Sequence, residues 1–168
     1  MAKVMTSVVL GLALVATAGC AKKRVTDVPP GPITDTGTPD TSSGEEASSA
    51  LNEQFKREVS SNTVHFAFDQ YDIDPEARAI LDSQARWLAA HPGVRITIEG
   101  HCDERGTREY NLALGDRRAN AAKNYLAARG ISPSQINTIS YGKERPVALG
   151  SDDSSWAMNR RAVTIVIS

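Results

Sequence analysis

Two early segments alternate apolar and polar residues. Val64, Phe66 and Phe68 alternate with His65 and Ala67, and Val94, Ile96 and Ile98 alternate with Arg95, Thr97 and Glu99. A period of two predicts a strand in each, the first running to Asp69. Between them the period changes: Ile80, Leu81, Trp87 and Leu88 recur at helical spacing. Asp74, Pro75 and Glu76 supply an N-cap, a first-turn proline and a first-turn acid, and His91-Pro92-Gly93 ends the run. A second helix carries Ala119, Ala122 and Leu126 and stops at Gly130. Residues 136–141 read as a third strand, and a helical turn is expected near Ser154 to Met158. In the last segment Val163, Ile165 and Ile167 lie on one face and Ala162 and Val166 on the other. A strand apolar on both faces belongs in the middle of a sheet. The order is β-α-β-α-β-β, and the last two strands lack a full crossover helix. That pattern predicts an α/β (α+β) sandwich, with helices packed on one face of a mixed four-stranded sheet.

The chain before residue 62 has a different character. Lys3 is followed by an apolar run from Val8 to Ala16 and then by Ala18, Gly19 and Cys20. A basic start, an apolar run too short to span a bilayer and small residues before a cysteine read as a signal peptide over 1–19 and a lipidated Cys20. Ala21 rather than Asp follows the cysteine, an outer-membrane address that places the rest of the chain in the periplasm. Residues 21–61, which include Pro29, Pro30, Pro32 and Pro39 among many Ser, Thr and Gly, read as a disordered tether. At about 3.3 Å per extended residue, the stretch up to about residue 50 spans on the order of 100 Å. Residues 62–168 form one domain. It holds 13 Lys and Arg against 13 Asp and Glu, a balance that argues against a nucleic-acid partner. With Cys20 acylated, Cys102 is the remaining thiol, so the core rather than a disulfide must hold the fold.

Chemistry concentrates between residues 100 and 119. Gly100-His101-Cys102-Asp103-Glu104-Arg105-Gly106-Thr107 leaves the second strand, and Leu114-Gly115-Asp116-Arg117-Arg118-Ala119 lies on the following helix. Asp103 therefore sits just past a strand end and Arg118 about one turn beyond Gly115. A fixed carboxylate and a fixed guanidinium facing one cleft suit a zwitterion: the acid takes an ammonium and the arginine takes a carboxylate through paired hydrogen bonds. Arg117 is the internal control, because consecutive helix positions cannot both point into one cleft. Asn111 is expected to cap or brace the loop, and Gly100 and Gly106 to supply close approach or positive φ. Four adjacent potential ligands, His101 to Glu104, cannot converge on one metal ion, which needs spaced pairs. Neighbouring His101 and Cys102 diverge rather than form a nucleophile and base. An enzyme is therefore not expected, nor a cofactor; a metal- or cysteine-dependent envelope hydrolase is the remote alternative.

Four blocks carry a resemblance: Phe66-Ala67-Phe68-Asp69-Gln70-Tyr71-Asp72-Ile73, Asp103-Glu104-Arg105-Gly106-Thr107, Ser140-Tyr141-Gly142-Lys143-Glu144-Arg145-Pro146 and Asn159-Arg160-Arg161-Ala162. From about residue 62 onward the chain resembles the OmpA-like peptidoglycan-binding domain family, and within it the branch of peptidoglycan-associated lipoproteins. The resemblance implies non-covalent binding of the peptidoglycan stem peptide, with Asp103 on the ammonium of meso-diaminopimelate and Arg118, the arginine directly before alanine, on its carboxylate. It also implies that Asp69 and Phe68 line the pocket, although Phe68 equally suits the core. Leu114 packs either on the ligand's aliphatic stem or on the sheet. Further implications are a lipid anchor in the outer membrane and membership of the Tol-Pal system, with TolB and other Tol proteins as partners in envelope integrity and cell division. The alternative within the family is a wall-binding lipoprotein outside that system. Cys102 departs from the Thr or Ala more usual there.

Overall fold

A computed structural model describes residues 42–167 of the chain. The expected signal peptide, Cys20 and the tether up to residue 41 lie outside the described residues. Four helices and four strands follow in the order α1 (Ser42–Glu58), β1 (Thr63–His65), α2 (Pro75–Ala90), β2 (Ile96–His101), α3 (Arg108–Ala128), β3 (Ile136–Gly142), α4 (Asp153–Asn159) and β4 (Arg161–Val166). The sheet order is β1-β4-β2-β3. β4 runs antiparallel to both β1 and β2, and β2 runs parallel to β3. The α/β sandwich with a mixed four-stranded sheet is thus borne out, and β4 takes the central place that its two apolar faces require.

The core forms where the inward residues of the strands, Val64, Ile96, Ile98, Ile136, Ala162 and Val166, meet Leu81 and Leu88 of α2 and Ala119, Ala122 and Leu126 of α3. Asp74 caps α2 through its side chain, which accepts from the Ala77 amide at 2.7 Å. One polar path crosses this core. Buried Gln84 donates to the Ser61 carbonyl at 2.9 Å and accepts from the Thr164 hydroxyl at 2.8 Å, so each end of its amide is paired.

The part of the tether expected from 42 to 61 is a correction. Residues 42–58 are helix α1, and they belong to the domain. Leu51, Phe55 and Val59 recur four residues apart, a stripe that Ser- and Pro-rich composition over the wider segment conceals. Phe55 is fully buried and meets Trp87 edge to face, with ring centroids 5.0 Å apart. The Trp87 indole donates to Glu58 at 2.8 Å, and the Val166 amide donates to the Asn52 side chain at 3.1 Å. Burying a phenylalanine stabilises by about 1.5–3 kcal/mol, enough to fix a helix end that composition alone leaves free.

β1 is also shorter than the alternation predicts. It ends at His65 rather than Asp69, and after the Phe66 amide donates to the Arg160 carbonyl at 2.9 Å the chain leaves the sheet. Phe66 is buried and Phe68 is 60% exposed. Residues 67–70 therefore form a turn beside the ends of β2 and α3, with Asp69 in the left-handed region at φ 58°.

Candidate functional site

The site forms where β2 hands over to α3. The two elements lie unusually close: a side-chain carbon added at Gly100 would sit 1.9 Å from the Gly115 carbonyl oxygen, and one at Gly115 would sit 2.3 Å from the Ser140 hydroxyl. Only glycine permits this approach. It brings the buried face of α3, with Leu114 and Arg118, down onto the end of β2.

The loop between them is pinned from several sides. The Cys102 amide donates to the Gly142 carbonyl at 2.8 Å. The Asn111 side-chain amide donates to the carbonyls of Arg105 and Thr107 at 2.8 and 3.0 Å, the bracing role its position suggests. Lys143 donates to the carbonyls of Glu104 and Gly106 at 3.1 and 2.7 Å. Gly106 sits at φ 91°, and Thr107 caps α3.

These constraints create a pocket of about 150 Å³ lined by Phe68, Asp69, Asp103, Arg105, Leu114 and Arg118, among others. The residues singled out from the sequence, Asp103, Arg118, Asp69, Phe68 and Leu114, are all brought to this one cavity from separate chain segments. Phe68 lines the pocket rather than the core. Leu114 lines it too, although it is 5% exposed and packed into the domain. The volume is below the roughly 300–1,000 Å³ of sites that enclose a drug-sized molecule, so the pocket suits the end of a side chain.

Arg118 is completely buried, and among the described residues no carboxylate forms an ion pair with it. Its Nε donates to the Gln70 carbonyl at 2.9 Å, Nη1 to the His101 carbonyl at 2.8 Å and Nη2 to the Ala67 carbonyl at 3.3 Å. The guanidinium thereby ties the 67–70 turn to the end of β2, and it also interacts with the Cys102 thiol. Burial holds its pKa below the usual arginine value. Arg117 points elsewhere, with its guanidinium 5.9 Å from the centre of the exposed Tyr71 ring.

Asp103 is 5% exposed and is not the open carboxylate that the spacing implies. Its Oδ1 accepts from the Arg105 amide at 3.1 Å and from Arg105 Nε at 3.3 Å; its Oδ2 accepts from Arg105 Nη2 at 2.6 Å and Arg160 Nη1 at 3.4 Å. Burial pushes its pKa up, but the Arg105 bonds outweigh that and hold the group below its ordinary value. The second acid, Asp69, accepts a hydrogen bond from the Tyr110 hydroxyl, which raises the tyrosine's pKa.

Arg105, Arg160 and Tyr110 are members of the site that the sequence reading does not single out. Arg105 carries a signal: an aspartate two residues before a loop amide commonly closes an Asx turn. Arg160 carries none, because it reaches Asp103 from 57 residues away. Cys102 is a buried thiol donating to the Asn111 carbonyl at 3.3 Å, and burial raises its pKa, which makes it inert rather than nucleophilic. Among the described residues no group of three or more His, Cys, Asp or Glu side chains is placed to hold a metal ion.

The segment that builds this β-α junction and its pocket is matched by a family model, the OmpA family, over residues 65–160. The chain belongs to the OmpA family. A peptidoglycan-associated lipoprotein of Pseudomonas putida is 45% identical over 160 residues, 90% of each chain. One from Rhizobium meliloti is 57% identical over 103 residues, which cover 61% of this chain but 58% of that protein's length. Among solved structures, the peptidoglycan-associated lipoprotein of Burkholderia pseudomallei superposes with a TM-score of 0.61 at 47% identity, covering 62% of this chain and 89% of that one. A putative MotB-like protein from Desulfovibrio vulgaris shares the OmpA-family fold alone, with a TM-score of 0.59 at 17% identity over 74% of this chain and 93% of its own. No helix among the described residues is long and apolar enough to cross a membrane.

Proposed function

We propose that this protein is a lipid-anchored outer-membrane protein that grips peptidoglycan without covalent chemistry, taking the zwitterionic end of meso-diaminopimelate into the pocket at Asp103 and Arg118. The observation that carries this reading is the convergence of a buried arginine free of carboxylate partners and two acids, Asp69 and Asp103, on one small cavity. Arg118 offers paired N–H groups to a carboxylate, the acids offer oxygens to an ammonium, and Leu114 and Phe68 offer apolar surface to the methylenes between them. The names of the relatives support the same reading. We read the domain as a binder: the buried Cys102 thiol donates to the Asn111 carbonyl, and Asp103 is held by arginines.

The test compares the full-length protein with Asp103→Asn and Arg117→Ala for binding to isolated walls. Asp103→Asn keeps the shape and removes the charge; loss of one member of a desolvated pair costs about 2–5 kcal/mol, so binding drops at least about tenfold. Arg117→Ala, on an exposed face, costs under about 1 kcal/mol. Walls with lysine in place of diaminopimelate lack the distal carboxylate and bind poorly. Equal binding of the two wall types would refute the zwitterion clamp.

On the same reading we propose that the chain acts in the Tol-Pal system, with TolB as its periplasmic partner and envelope constriction at division as its setting. Co-purification of TolB with the full-length protein is the expected result. Wall binding without TolB capture would instead support a lipoprotein outside that system.

A further inference from the structure

Arg105 is the cation that most fully occupies the acid of the proposed clamp. Its backbone amide, Nε and Nη2 all engage Asp103, and the Nη2–Oδ2 distance of 2.6 Å is well inside the 3.4 Å at which Arg160 meets the same oxygen. The guanidinium is stacked on two aromatic rings, 4.3 Å from the centre of Phe68 and 4.1 Å from that of Trp156. Phe68 is itself a pocket wall. The head group therefore covers both surfaces that an incoming diamino acid needs, the carboxylate and the aromatic face.

Three features make this cover removable. The Arg105 side chain is 36% exposed, unlike the 15% of Arg160 and the full burial of Arg118. It can swing into solvent without unpacking the core. Its backbone amide stays on Asp103 Oδ1 when the head group leaves, and Arg160 stays on Oδ2, so the carboxylate keeps its orientation. The loop backbone is fixed independently by Asn111 and Lys143.

We infer that Arg105 is a built-in competitor of the ligand, a latch whose guanidinium holds Asp103 and Phe68 in the empty protein and must be displaced by the ammonium of a diamino acid. This rests on the diaminopimelate reading above and adds a specificity device to it. Asp103 stays ionised and oriented when the site is empty, and only a ligand whose carboxylate is also gripped by Arg118 has enough binding energy to open the latch. A simple amine without that carboxylate is rejected by the resident arginine.

The experiment is calorimetric titration of a soluble stem peptide containing meso-diaminopimelate into the full-length protein, Arg105→Gln, Arg105→Lys, Asp103→Asn and the Asp103→Asn/Arg105→Gln double variant. Arg105→Gln is expected to bind about tenfold tighter, a change of about 1.4 kcal/mol. Arg105→Lys, which keeps the charge but not the fork, falls between it and the parent. The gain disappears in the double variant, because there is no longer an acid to compete for. Free L-arginine at millimolar concentration inhibits Arg105→Gln and not the parent, a difference that a merely structural role of Arg105 does not produce. Weaker or unchanged binding by Arg105→Gln, with Asp103→Asn still defective, overturns the latch and leaves the wall-binding reading standing. Full binding by Asp103→Asn overturns that reading, and the latch with it.

Discussion

Arg118 carries a structural load besides its proposed ligand role, and the two can be separated by experiment. Replacing it with alanine removes a completely buried side chain and strips donors from the carbonyls of His101, Gln70 and Ala67. Gln70 and Ala67 lie in an exposed turn, where water can take over. His101 is 2% exposed, so its carbonyl is left dry. A buried acceptor without a partner costs about 1–3 kcal/mol, and the emptied volume adds on the order of 2 kcal/mol, partly offset by no longer burying a guanidinium. Arg118→Ala should therefore lose about 3–4 kcal/mol. Arg118→Lys keeps a cation that can still reach one carbonyl and should lose about 1–2 kcal/mol. Urea unfolding of the full-length protein, followed by the fluorescence of Trp87 and Trp156, measures both. Wall binding by Arg118→Lys then reports the loss of the fork in a folded protein. A loss under about 1 kcal/mol for Arg118→Ala would show that the guanidinium does not tie the turn to the strand, and the account of how the site is built would fall.

Two further outcomes are expected. The His101 ring is buried with no hydrogen-bond partner among the described residues, its Nε2 only approaching Glu99 at 3.4 Å, and burial, then Arg161 and Arg145, push its pKa from 6.5 to about 4. The unfolded chain takes up this proton as pH falls through 6.5 and the folded chain not until about 4, so stability is lost progressively across that window, on the order of 3 kcal/mol from this group; urea midpoints measured from pH 7 to 4 should fall less steeply in His101→Gln, and identical slopes would sink the assignment. Cys20→Ser should abolish incorporation of labelled fatty acid and release the protein from outer-membrane fractions on flotation; unchanged labelling would rule out the anchor at Cys20.

Most of the fold is written in local periodicity. The period-two runs around Ile96 and over Val163–Ile167 mark β2 and β4 because their faces are filled by consecutive alternate residues, and Asp74 marks the start of α2 because its cap is satisfied within three residues. Where the reading departs from the structure, the cause is equally specific. Phe66 and Phe68 continue the alternation of β1, but the Arg160 carbonyl takes the last ladder bond at Phe66, and the chain departs toward Arg118. Alternation records which residues suit a strand; it does not record where the neighbouring strand ends. Helix α1 is hidden for the opposite reason. Its stripe of Leu51, Phe55 and Val59 is short, and the partner that gives it stability, Trp87, is remote in sequence from Phe55.

The candidate site divides along the same line. Asp103 and Arg118 are legible because a carboxylate at a strand end and an arginine one turn beyond Gly115 must share a β-α junction, and the Gly100–Gly115 contact brings that junction close enough to form a pocket. Which side chains Asp103 meets is not legible. Whether it meets water or an arginine depends on a side-chain rotamer two residues away and on Arg160 between α4 and β4. Neither is constrained by period, composition or spacing. For the proposed function the consequence is direct: sequence names the candidate binding groups, while the strength of binding would be set by what those groups give up. For Asp103 that is the fork of Arg105 stacked between Phe68 and Trp156. Arg118 is fixed by its three carbonyl bonds and lies against the Cys102 thiol. In the proposed clamp the ammonium half is the contested one, so the proposal puts selectivity among amines at Asp103 and baseline affinity at Arg118.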